Sequence, residues 1–171
     1  MTRFISFFVL LLSASACSGP SETASNESSD TATAADTSEN AQKTAENVVR
    51  GYLAVKDALV ASDANTAQNE VVNLLEVIDA TDMPAVQQKA KEMAASEDLA
   101  TLRTHFDSLS VALYEEVKQQ PDNGQTLYKQ YCPMAFDNRG AYWLSRNQEI
   151  RNPYFGDEML KCGRTEEEIN F

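Results

Sequence analysis

Two short stretches carry sulfur donors at spacings that can bring them together: Cys-Pro-Met at Cys132–Met134 and Met-Leu-Lys-Cys at Met159–Cys162. Residues two apart share a face of an extended chain, and residues three apart share a face of a helical turn, so each pair converges locally. Two thiols and two thioethers around one small volume form a soft donor set. Such a set suits Cu(I) or Ag(I) far better than Mg, Ca or Mn. Zinc fits less well, because structural zinc sites are built from Cys and His, and a thioether is a poor partner for it. The single histidine, His105, flanks an apolar stripe between Leu102 and Leu109 and is a conceivable fifth ligand. A lone His at the edge of a helix face is, however, more often packed or hydrogen-bonded. The same cysteines admit two further readings. Oxidised, Cys132 and Cys162 would close one disulfide loop worth about 3 kcal/mol on the chain-entropy model; left free, they would pack as small hydrophobes. The companion methionines weigh toward the metal, since a disulfide has no use for them, although methionine also fills awkward gaps.

The start of the chain bears on which compartment these sulfurs occupy. Arg3 precedes the apolar run Phe4–Ala14, which has the length of a signal-peptide core and is short for a membrane span. Residues 1–16 are therefore expected to be a signal peptide, with export to the periplasm. Ala14–Cys17 reads "ASAC", a lipobox in which Cys17 is lipidated and becomes the new N-terminus; cleavage after Ala16 is the alternative. Ser18, rather than Asp, after the cysteine points to the outer membrane. Residues 17–44, rich in Ser, Thr, Ala and acids, are expected to be a disordered linker, and 45–171 one domain. Contact with the membrane would then be through the lipid anchor only. After lipidation of Cys17, two of the three cysteines remain, as a single disulfide requires. A net charge of -12 excludes nucleic acid as a natural partner, because phosphate would repel the domain.

The elements that must hold the sulfurs in place are mostly helices. Val48, Val49, Tyr52, Leu53, Leu59 and Val60 recur at helical spacing, so one amphipathic helix is expected over 45–61. Ser62 or Asp63 is placed to cap a second, carrying Ala67, Val71, Leu74, Leu75 and Ile78. Pro84 suits the first turn of a third, and Leu99, Leu102, Phe106, Leu109, Leu113 and Val117 mark a fourth, from Ser96 to about Gln119. Beyond the turn at Pro121–Gly124 the chain becomes aromatic, which predicts a hairpin with arms at "TLYKQYC" and "AYWLS". The fold class is thus mainly α: an antiparallel bundle of three to four helices with a small C-terminal β-hairpin and an aromatic-rich cap over about 127–164. Trp143, Tyr154 and Phe155 are expected to exclude water around the sulfurs.

The stretches "YCPMAFDNRGAYWLS" and "EIRNPYFGDEMLKCG" resemble the signature of domain of unknown function 3347, and the likeness runs more loosely over about residues 48–164. That bacterial exported family includes members fused to adaptor subunits of Cus-type heavy-metal efflux systems. The resemblance implies copper or silver handling, with Cys132, Met134, Met159 and Cys162 as the metal residues. It also suggests a heavy-metal efflux or copper-maturation protein as partner. Catalysis is not expected. His105, Asp107 and Ser110 fall within two turns of one helix, where a nucleophile, base and acid cannot line up, and no phosphate-binding glycine loop is present. The function expected is a membrane-tethered periplasmic domain that buffers or hands over a soft ion; the alternative is a disulfide-stapled protein-interaction module without metal.

Overall fold

The computed structural model describes residues 31–122 and 124–171, with side chains from Gln42 onward. The expected signal peptide, Cys17 and the first part of the expected linker lie outside the described residues. Four helices come first: α1 (Thr31–Val60), α2 (Ala64–Ile78), α3 (Pro84–Ala94) and α4 (Leu99–Val117). Helix α1 starts at Thr31, so the segment 31–44, expected as linker, is helical. Its sequence contains no Gly or Pro and is rich in alanine, the best helix former. Among the described residues, no helix is long and apolar enough to cross a membrane.

The helix boundaries follow local chemistry. Asp63 caps α2 by accepting from the Thr66 backbone N–H at 2.9 Å, and Asp98 does the same for α4 from Thr101 at 2.9 Å. Pro84 opens α3, where a missing N–H costs nothing. Helix α1 packs on α2, α2 on α3 and α3 on α4. Their buried faces, including Val55, Leu74, Val86 and Phe106, join Trp143, Leu144 and Phe171 of the C-terminal segment in one core.

That C-terminal segment is a three-stranded antiparallel sheet in the order β2-β1-β3, formed by β1 (Thr126–Cys132), β2 (Ala141–Ser145) and β3 (Arg164–Asn170). The expected hairpin is present, with Cys132 opposite Ala141 and Gln130 opposite Trp143. The third strand was not expected. Its three consecutive glutamates carry no alternating apolar signal, yet Leu127 pairs with Ile169, and Phe171 exchanges backbone hydrogen bonds with Gln125. Main-chain pairing with an available edge, anchored by buried Ile169 and Phe171, outweighs weak strand propensity here.

Sheet and helices are joined by a buried polar relay. The Ser110 hydroxyl donates to the Phe106 carbonyl at 2.8 Å, so the Tyr52 hydroxyl is the donor in its 2.7 Å contact with Ser110 Oγ. Tyr52 Oη in turn accepts the Leu144 backbone N–H of β2 at 3.1 Å. Burial pushes the Tyr52 pKa well above its usual value. Replacing Tyr52 by Phe strands that N–H inside the core and is expected to cost about 1–3 kcal/mol. Urea denaturation measures it; a loss below about 0.5 kcal/mol would mean the relay is not a structural tie.

Candidate functional site: a sulfur pair in the C-terminal cap

Cys132 ends β1 and is wholly buried, whereas Cys162 is half-buried in the turn that leads into β3. Their sulfurs are 2.7 Å apart, and both thiols are free. Two thiolates on one ion would stand farther apart. With metal–sulfur bonds of about 2.3 Å, a tetrahedral ion holds two thiolates about 3.8 Å apart. A disulfide would instead require closure to about 2.05 Å.

Several groups hold Cys162 in place. Its backbone N–H donates to the Met159 carbonyl at 2.9 Å, which closes a turn bringing Met159 beside it. Its carbonyl accepts from Asn152 Nδ2 at 2.9 Å. Asn152 is itself fully buried, and its Oδ1 accepts the Tyr154 N–H at 2.8 Å while its backbone N–H donates to Leu160 at 2.9 Å. The Met134 backbone N–H lies near the Cys162 sulfur and favours its thiolate. Cys132, Met134, Met159 and Cys162 are thus gathered at one end of the cap, with Met134 largely exposed and Met159 half-buried.

Burial and the adjacent Cys132 push the Cys162 thiol up to about 11, while the Met134 N–H works in the opposite direction. At neutral pH Cys162 is therefore held as the thiol, a poor nucleophile for redox exchange. In the reduced protein, the rate of iodoacetamide labelling at Cys162 should climb about tenfold per pH unit up to about 11. Mass spectrometry of timed labelling reads this. Levelling off near the usual thiol range would show that the burial is ineffective.

The loop after Met134 is fixed by an unusual backbone. Phe136, Asp137 and Asn138 all have φ between 51° and 68°. This left-handed run, uncommon for side-chain-bearing residues, persists because its surroundings hold it. Arg139 donates to Asp107 of α4 at 2.7 Å and stacks over the Phe136 ring, and that ring meets Tyr154 edge-on at 5.3 Å. Across the site, Arg103 of α4 donates to the Pro153 carbonyl at 2.9 Å and to Ser62 Oγ at 3.0 Å, fastening the second sulfur loop to the helices. A cleft of about 330 Å³ opens between α4 and the two loops, lined by Arg103, Phe136, Tyr154, Phe155 and Glu158 among others.

Of the aromatic residues expected to exclude water, Trp143 and Tyr154 are buried and meet edge-on at 5.9 Å, while half-exposed Phe155 lines the cleft. His105 lies half-buried on α4, near Glu92 of α3. Among the described residues no three of His, Cys, Asp and Glu form a group able to hold a metal. One step around a helix is about 100°, so His105 leaves the core face that Leu102, Phe106 and Leu109 share and turns toward α3. The expected soft donors beside the two thiols, Met134 and Met159, sit on the segments that adjoin Cys162. Sequence reasoning missed Asn152, Arg103 and Gln130, the polar residues that position the loops. Asn-Pro at Asn152–Pro153 was a turn signal that could have singled out the first.

No curated protein and no solved structure matches the chain. The matching family model spans residues 48–124, which is the C-terminal part of α1, then α2 to α4 and the turn before β1; the two sulfur loops lie beyond it. Through that helical segment the chain matches the family described as protein of unknown function (DUF3347).

Proposed function

We propose that this chain is a soft-metal-binding domain that takes up Cu(I) or Ag(I) as cargo at Cys132 and Cys162 and buffers it or hands it on within the cell envelope. The observation carrying this reading is the meeting of the two thiols at 2.7 Å, with the Met134 and Met159 segments on either side. The donor chemistry fits a soft monovalent ion: thiolates bring negative charge, and thioethers are neutral and exchange readily. Each thiol that ligates gives one proton to solvent, and no electrons move. In this reading the helices form an antiparallel bundle that serves as a stand, Cys17 carries the lipid tether, and exposed Met134 is the donor a receiving protein meets first. A heavy-metal efflux or copper-maturation protein is the class of partner such an exchange requires.

The same sulfur contact favours one other reading, a cap stapled by a Cys132–Cys162 disulfide and used as a protein-binding face. Reduced protein kept without oxygen and titrated against a coloured Cu(I) chelator separates the two. Retention of one Cu(I) per chain supports the cargo reading. No uptake with both thiols free, together with a 2-Da lower mass for protein purified without reductant, supports the staple.

A further inference from the structure

Two buried side-chain atoms among the described residues lack a hydrogen-bond partner: the indole Nε1 of Trp143 and the amide Oε1 of Gln130. Both side chains are wholly excluded from solvent, and they face each other across the β1–β2 pair. A buried donor left unpaired is costly, so the exception calls for a cause. The amide orientation of Gln130 is fixed, because Nε2 donates to the Asn147 and Gln148 carbonyls at 2.8 and 3.1 Å. A flip would set oxygen against oxygen. The indole N–H is the atom whose purpose is open.

Trp143 borders the sulfur pair from two directions. Cys132 lies two residues from Gln130 on β1, hence on the same sheet face, and is diagonal to Trp143 across the pairing. Diagonal cross-strand neighbours are within reach of an aromatic side chain. On the other side, a Cβ built on Gly163 would fall 3.0 Å from Trp143 Cη2, so the indole also abuts the residue after Cys162. The Cys132 sulfur has its hydrogen-bond contact with that of Cys162, whose other polar neighbour is the Met134 N–H.

Building on the soft-metal reading, we propose that Trp143 is a positioning residue whose unspent indole N–H is the donor for Cys132. When Cys132 ligates a soft ion as thiolate, its sulfur takes up the N–H···S contact. The cost of leaving the donor idle in the free protein is then recovered on loading, which favours the loaded geometry. Outer-shell donors of this kind tune affinity by about ten- to a hundredfold.

Trp143 is the only tryptophan in the chain, so its indole N–H gives a single, self-assigned cross-peak in a ¹⁵N-correlated NMR spectrum. Titrating reduced, labelled protein with Ag(I) should move that proton downfield in step with one equivalent bound. The shift should vanish in Cys132→Ser, and Trp143→Phe should retain Ag(I) about tenfold less tightly. An indole peak already downfield without the ion, meaning that Gln130 or a water holds the N–H, overturns the inference. So does a peak that stays still while one Ag(I) binds. No Ag(I) uptake by the wild-type chain overturns the soft-metal reading and this inference with it. Because the NMR shift is read in wild-type protein, a Trp143→Phe variant that fails to fold does not blunt the test.

Discussion

Cys132→Ser is expected to weaken Cu(I) retention by the reduced protein by about a hundredfold or more, above what loss of an outer-shell group costs. A hydroxyl is a hard, neutral donor that keeps its proton at neutral pH, so the variant loses both a soft ligand and its charge. The same exchange places an O–H in a fully buried site, so some loss of stability accompanies it. Cys162→Ser separates the two effects. Cys162 is half-buried, its serine keeps some contact with water, and the fold should be nearly unchanged while Cu(I) retention falls as far. Met134→Leu and Met159→Leu remove neutral donors and should each cost less than either cysteine. Competition against a chelator of known Cu(I) affinity reads all four. Equal retention by Cys162→Ser and wild type would exclude a two-thiolate site.

Gly163→Ala is the second large effect, on stability. Gly163 has φ of 141°, a conformation close to exclusive to glycine. Its added Cβ would stand 2.9 Å from the Tyr131 carbonyl oxygen and 3.0 Å from Trp143. The first contact is with backbone held in the sheet and cannot swing aside. Backbone strain of about 1–3 kcal/mol and overpacking of similar size together predict a loss near 3 kcal/mol. That is a large share of the roughly 5–15 kcal/mol holding a typical domain. Chemical denaturation with an unchanged m-value would establish it, and a loss under 1 kcal/mol would show that the β3 approach shifts freely. The residue adjoins Cys162, so the variant should also loosen the sulfur pair.

How much of this was legible in the sequence varies with the kind of force involved. Helices α2, α3 and α4 were readable because burial of one face imposes a period, and Pro84 and Asp63 mark ends by local bonding. The hairpin arms were equally clear from their aromatic content and from Gly140, which has φ of 79°. Strand β3 was hidden, since "RTEEEIN" owes its form to a partner strand far away in the chain and not to its own residues. The left-handed run Phe136–Asn138 was hidden for the same reason: ion pairing at Asp107 and ring contact at Tyr154 select it. Helix α1 runs further toward the N-terminus than apolar periodicity could indicate, because the added residues are set by alanine-rich propensity without a buried pattern. In the candidate site, spacing made the local convergence of each Cys/Met pair legible, whereas the meeting of Cys132 with Cys162 needed the C-terminal turn to fold over the hairpin.

Copper K-edge X-ray absorption on reduced protein loaded with one equivalent of Cu(I) tests the central claim most directly. The soft-metal account predicts a first shell made of sulfur alone, at about 2.3 Å as in metal–thiolate bonds, with the shell reduced in Cys132→Ser and in Cys162→Ser. A first shell of nitrogen or oxygen, or copper that washes away while both thiols are free, would contradict it.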